Sequence, residues 1–198
     1  MEKPTDILKD LELKITKDTI LFFDMDGTLI DTDFANYLSF KNAIQKVLKP
    51  NKDVQFNPNE RFNRTILKRE FPSLGDTVYE DIIRLKETLY SENLAHTKLI
   101  SFANDILTQY SKSNTTVLVT NCREERAIMT LNQHDLTNKF THKFFRKSSD
   151  NDFHINKFEN ALTGLKLNPQ TVIAFENEAF EIEEAIKAGI PNENIISV

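Results

Sequence analysis

The stretch Ile20-Leu21-Phe22-Phe23-Asp24-Met25-Asp26-Gly27-Thr28 runs from four apolar residues straight into two carboxylates and a glycine. An apolar run without polar alternation suits a strand covered on both faces, as in a parallel sheet, where ligands collect at the carboxyl ends of strands. Strand side chains alternate, so Asp24 and Asp26 share one face and Met25 turns away. Gly27 permits the sharp turn that follows. Two carboxylates this close raise a pKa unless a cation or a strong donor set compensates. A hard ion such as Mg2+, which takes one or two carboxylates plus substrate oxygens, is a natural compensator. Phosphate chemistry is therefore the first reading, and a solvated Asp-Gly turn closing a hairpin is the competing one.

Working outward, 198 residues allow one packed domain or a core with a smaller insertion. A hydrophobic fraction of 39% with 15 Phe builds cores, and 28% charged residues leave a solvated surface. The net charge of −5 argues against a nucleic-acid partner. The single Cys122 excludes an internal disulfide framework and suits a reducing compartment. Charges interleave Met1 to Lys17, so no signal peptide is expected, and no stretch approaches a membrane span. The expectation is a soluble, cytoplasmic protein; oligomeric state has no signal.

Helical spacing marks Pro4–Ile15, Phe34–Leu48 with a stop at Lys49-Pro50-Asn51, Asn59–Phe71, Thr77–Leu89 and Thr97–Tyr110. From the second of these onward, helix follows helix with no strand pattern, which predicts an inserted helical subdomain. Thr115–Val119 restores the buried-strand pattern and ends in Thr120-Asn121, a pair able to hydrogen-bond a phosphate oxygen or, more blandly, to cap the helix that follows. Lys143–Arg146 reads as a short strand, Asn156–Leu165 as a helix ending near Gly164, and Thr171–Phe175 as the last strongly apolar strand, delivering Glu176-Asn177-Glu178. The helix after it has acids early, Lys187 late and Gly189 as a stop, and Asn194–Val198 adds a terminal strand.

The string Asp24 to Thr32 resembles the first motif of the haloacid dehalogenase (HAD) superfamily, and the resemblance extends in register from about Thr19 to Val198. It implies an α/β fold with a Rossmann-like parallel sheet core, residues 1–30 and 114–198, and a helical cap of the C1 type over 31–113. Asp26 and Met25 place the chain on the phosphatase and phosphomutase branch. The resemblance makes Asp24 the nucleophile that becomes an aspartyl-phosphate and Asp26 the general acid and base. Thr120 and Asn121 correspond to the second motif; with Gly27, Thr28 and Arg123 they are the expected substrate-binding residues. Lys157 is the choice for the motif-three lysine, with Lys143 and Lys147 as competitors. Glu176-Asn177 falls in the fourth motif, and Mg2+ is expected on Asp24, Asp26, Glu176 and Asn177. Asn177 stands where Asp is usual; its carbonyl can still bind Mg2+, with one formal charge lost.

The implied function is Mg2+-dependent hydrolysis of a small phosphorylated metabolite. A sugar phosphomutase of the same fold, or a HAD-like binding module with a decayed metal site, are the alternatives. Arg61, Arg64, Lys68, Lys86 and Arg123 are candidates to meet a second anionic group, although charges at helical spacing usually form solvated faces. Cys122 reads as a buried inert thiol. His96, His134, His142 and His154 lack metal-ligand spacing.

Overall fold

The computed structural model describes residues 11, 13–48, 53–147 and 155–198. Most of the expected Pro4–Ile15 helix and the stop at 49–51 lie outside them. Five strands form one all-parallel sheet in the order β5-β4-β1-β6-β7: β1 Ile20–Phe23, β4 Thr116–Val119, β5 His142–Phe144, β6 Val172–Glu176 and β7 Ile195–Ser197. The central strand is β1, whose Phe22 sits opposite Val117 on one side and Ala174 on the other.

Strand alternation divides the core in two. Leu21 and Phe23 point to the face covered by α4 (Ser101–Tyr110) and α5 (Glu124–Gln133), where Phe23 stacks on Phe175 at 4.6 Å. Phe22, Val117 and Ala174 point to the opposite face, under α6 (Lys157–Leu165) and α7 (Ala179–Lys187). Burying aromatic and branched residues on both faces contributes roughly 1.5–3 kcal/mol for each large side chain. This is the doubly covered α/β layering that the unbroken apolar strands imply.

Between β1 and β4 the chain forms α1 (Asp33–Leu48), α2 (Arg64–Glu70), α3 (Asp76–Leu89) and a 3-10 helix over Tyr90–His96. They build a separate apolar cluster around Phe40, Ile44, Leu67, Ile82 and Leu89. A two-stranded antiparallel ribbon, β2 (Ile30–Asp31) with β3 (Lys98–Leu99), joins the two ends of this segment. Nothing in the sequence marked that ribbon as strand. Its pairing shortens the helix expected over 97–110 to α4, and α4 buries Ala103, Ile106 and Leu107 against the sheet. By packing, α4 therefore sits with the sheet and not with the preceding helices. The helix expected over 59–71 begins only at Arg64, because Asn63 caps it by accepting from the Ile66 N–H. Gly164 lies inside α6, where a Cβ would come 2.9 Å from the Phe144 ring, and the left-handed residue that ends α6 is Lys166.

Candidate active site

β1 ends by handing Asp24 to a pocket of about 170 Å³ at the carboxyl edge of the sheet. The Asp24 N–H donates to the Phe175 carbonyl at 3.1 Å, which prolongs the β1–β6 pairing by one residue and fixes where the carboxylate emerges. Met25 is fully buried in the core, so Asp26 returns to the pocket. The turn closes through the Gly27 N–H to the Ile30 carbonyl at 2.8 Å. Gly27 has φ +86°, and a Cβ there would stand 2.4 Å from Asn177 Nδ2.

Lys157 opens α6, whose N-terminus is capped by Asn156 accepting from the Phe158 and Glu159 N–H groups. Its ammonium donates to Asp24 Oδ1 at 2.8 Å and to Glu176 Oε2 at 2.7 Å, and stands 3.6 Å from Glu181 Oε2. Neither Lys143 nor Lys147 lines the pocket. Burial works against the Lys157 charge, but Asp24, then Glu176 and Glu181, hold its pKa above the usual lysine range. Burial lifts the Asp24 carboxyl to about 7; Lys157 opposes the rise and Glu176 adds to it. Glu176 is itself raised by burial against the pull of Lys157, and its second oxygen accepts from the Asn177 and Glu178 N–H groups.

Asp26 is held in the opposite sense. Arg126 Nη2 reaches one carboxylate oxygen at 3.1 Å, while Arg61 Nη2 at 3.0 Å and the Thr32 hydroxyl take the other. Burial opposes ionisation there, yet Arg126 first and Arg61 second outweigh it and keep the pKa well below the carboxylate range. Arg126 is placed by α5, one helical turn beyond Cys122, whose sulfur accepts from Arg126 Nε at 2.8 Å. Burial pushes the Cys122 thiol up to about 12, so it stays protonated and is no nucleophile.

Thr120 and Asn121 line the pocket as expected from their strand end. Thr120 Oγ1 accepts from the Cys122 N–H, and Asn121 Nδ2 donates to Glu181 Oε1 at 2.8 Å. Four expected residues lie elsewhere. Thr28 is fully buried and donates its hydroxyl to Asn177 Oδ1 at 3.0 Å, so the Asn177 side chain packs on the Gly27-Thr28 turn and does not line the pocket. Gly27 lies beneath that amide. Arg123 lines a larger cleft between α3 and α5, not the carboxylate pocket. Three pocket residues were not foreseen there, Arg126, Glu178 and Glu181; Arg61, read as a candidate for a second anionic group of the substrate, stands beside Asp26. The i, i+4 spacing of Cys122 and Arg126 is the one sequence signal that places Arg126 beside the Thr120-Asn121 strand end.

Asp24, Asp26, Glu176, Glu178 and Glu181 outnumber Arg61, Arg126 and Lys157 around the pocket by two charges, and Glu181 Oε2 is buried without a hydrogen bond. Among the described residues no three acidic, His or Cys side chains converge into a cage for a metal. An ion such as Mg2+ needs no such cage, because it takes one or two carboxylates and completes its shell with water and substrate. The excess of hard oxygen donors fits that pattern.

The family model for haloacid dehalogenase-like hydrolases matches residues 21–193. No curated protein matches the chain significantly. Among solved structures, a haloacid dehalogenase-like family hydrolase from Streptococcus pneumoniae is 20% identical, with a TM-score of 0.69 over 92% of this chain and 85% of that one. A predicted phosphoglycolate phosphatase from Haemophilus somnus is 19% identical, with a TM-score of 0.70 over 88% and 84%. A variant of CbbY from Rhodobacter sphaeroides, solved with xylulose-1,5-bisphosphate, is 14% identical, with a TM-score of 0.70 over 87% and 83%. These likenesses bear out the expected α/β fold. Among the described residues no helix is long and apolar enough to cross a membrane.

Proposed function

The chain belongs to the haloacid dehalogenase-like hydrolase family, and from that premise we propose that it is a Mg2+-dependent phosphatase acting on a small phosphorylated metabolite through Asp24. The observation that carries the reading is the Asp24 carboxylate, 5% exposed, at the end of the central strand with the Lys157 ammonium 2.8 Å away. Asp24 Oδ attacks phosphorus, the new O–P bond forming as the bond to the leaving oxygen breaks, and the acyl phosphate on Asp24 is then hydrolysed. Lys157 lies where it offsets charge on the nucleophile and on the phosphoryl group. Thr120 and Asn121 present a hydroxyl and an amide to the same space.

Asp26 handles the proton. As base it takes one from the water that opens the aspartyl-phosphate, a role suited to the ionised state that Arg61 and Arg126 enforce. As acid it must first be protonated, and both guanidiniums oppose that, so loosening of either favours the first half-reaction. Asp24, the Asp26 backbone carbonyl, Glu176 and Glu178 are the oxygen donors that would hold Mg2+, with Asn177 turned to Thr28. When bound, the ion supplies Lewis-acid stabilisation of the phosphoryl oxygens. The helices between β2 and β3 act as a cap: Arg61, which precedes α2, reaches from them to Asp26.

The test is hydrolysis of para-nitrophenyl phosphate with and without Mg2+, run beside Asp24→Asn. Metal-dependent turnover in the native protein and a loss of at least a thousandfold in the variant are expected. Equal turnover in both proteins would sink the assignment of Asp24, and an isomerised rather than hydrolysed sugar phosphate would make the protein a mutase.

A further inference from the structure

Tyr90 opens the 3-10 helix that follows α3 and is 1% exposed, yet two cations stand over its ring. The Arg126 guanidinium carbon is 5.2 Å from the ring centroid and the Lys86 ammonium 5.7 Å. The Tyr90 oxygen lies 3.4 Å from Thr130 Oγ1. Arg126 is thereby held by contacts of different origin. Cys122 Sγ accepts from Nε at 2.8 Å and Thr130 donates to the Arg126 carbonyl at 2.8 Å, but both lie only four residues away along the chain, and neither reaches the outer nitrogens. Nη2 meets Asp26 at 3.1 Å, the one carboxylate paired with Arg126 among the described residues. Arg61, by contrast, divides itself between Asp26 and Asp33. Tyr90 is the support that Arg126 receives from the inserted segment.

We propose that Tyr90 is a positioning residue for proton transfer: its ring holds the Arg126 guanidinium where Nη2 keeps the Asp26 carboxylate aimed into the pocket. The inference rests on the reading of Asp26 as the base in the opening of the aspartyl-phosphate. In that step the water oxygen bonds phosphorus as the Asp24 O–P bond breaks, and the water proton passes to Asp26. A cation over an aromatic face is drawn to the negative face of the ring, and a planar guanidinium stacks there with little further loss of freedom. Placement matters, because a shift of about 1 Å in a catalytic group costs about a hundredfold in rate. Tyr90 touches neither substrate nor the reacting atoms; it acts through Arg126.

The test is steady-state and burst kinetics on para-nitrophenyl phosphate with Mg2+. Para-nitrophenolate leaves without a proton, so forming the aspartyl-phosphate does not need Asp26 and opening it does. Tyr90→Leu is expected to lower kcat about tenfold and KM with it, leaving kcat/KM within about twofold of native. A stoichiometric burst of para-nitrophenolate accompanies the loss, since the acyl phosphate accumulates. Tyr90→Phe keeps the ring, loses only the contact with Thr130, and recovers the native kcat. Trifluorophenylalanine at position 90 keeps the volume and hence the fold but drains the ring face, and is expected to be slower than Tyr90→Phe. A kcat/KM that falls as far as kcat, a Tyr90→Phe protein as slow as Tyr90→Leu, or a fluorinated ring as fast as Phe would overturn the proposal. Absence of turnover in the native protein would count against the phosphatase reading instead. The Arg126 Nε–H signal in a proton–nitrogen NMR spectrum, identified by its loss in Arg126→Lys, then decides whether Tyr90 holds the guanidinium: it is expected sharp in Tyr90→Phe and broadened in Tyr90→Leu, and equally sharp signals overturn the placement.

Discussion

Asp24 and Asp26 stand two residues apart at one strand end and ionise in opposite senses, and their neighbours explain why. Burial dominates at Asp24 and raises it, with Lys157 as the opposing cation. At Asp26 burial is outweighed by Arg126 and Arg61. Removing the Asp26 carboxylate therefore takes a partner from two guanidiniums whose side chains are 16% and 25% exposed, and leaves Arg61 with Asp33 at 3.3 Å. Breaking a fully buried pair costs about 3–5 kcal/mol, and this residual exposure lowers the figure to about 2 for Asp26→Ala. Urea unfolding measures it, and a loss below about 0.5 kcal/mol would mean that the arginines do not depend on Asp26. Gly27→Ala meets two obstacles, a positive φ and the Asn177 amide 2.4 Å from the new Cβ. It is expected to cost about 2 kcal/mol. In an Asn177→Ala background the cost is smaller, since only the dihedral penalty remains, and strictly additive losses would refute the contact. That Asp24 and Asp26 share a pocket was legible from strand periodicity alone. The Asn177 side chain was not: a motif position says which residue stands there, not that the Thr28 hydroxyl turns it away.

Elements were legible where burial alone determines them. β1, β4 and β6 are the predominantly apolar runs, and each lies within about one residue of its expected bounds. The β2–β3 ribbon escaped because its pairing joins residues some 70 positions apart and carries no local signal. Arg126 escaped as a partner of Asp26 for the same reason, the two being 100 residues apart in sequence. α6 shows how an element fixes a functional atom. Asn156 caps it through two N–H groups, and its own Nδ2 donates to the Glu184 carbonyl at 2.7 Å, tying the start of α6 to α7. Lys157 is the next residue, so the cap sets where the ammonium meets Asp24. Asn156→Ala should cost about 1–2 kcal/mol of stability and lower kcat by roughly tenfold through misplaced Lys157. Asn156→Asp, which keeps the cap acceptor but loses the Nδ2 donor to Glu184, should recover only part of the stability; a variant no better than Asn156→Ala would make the Glu184 contact, not the cap, the larger contribution.

For the molecule as a whole, the concentration of buried charge at one sheet edge sets how stability responds to pH. In the unfolded chain Asp24 titrates near its ordinary 3.8, and in the folded protein near 7. The folded state thus holds a proton that the unfolded state has released, and the stability this confers is fully present below about 3.8 and lost as pH rises through about 7. Glu176 and Glu178, both raised by burial, act with the same sign. Asp26 has the opposite sign, its contribution vanishing only as pH falls below the usual carboxylate range, so it is silent between pH 5 and 8. Lys157, raised above its ordinary value, changes nothing until strongly alkaline pH. The metal-free protein is therefore expected to lose stability from pH 5 to 8, by at most about 1.4 kcal/mol per pH unit for each proton involved. On the proposed function, Mg2+ would bind the ionised carboxylates and should raise Tm more at pH 8 than at pH 5.5. Thermal unfolding in EDTA across that range, for the native protein and for Asp24→Asn, separates the contributions: the variant has no proton to lose at position 24, so its slope must be shallower. Parallel slopes in the two proteins would place the buried proton on another group and remove the electrostatic reason for Mg2+ to act at Asp24.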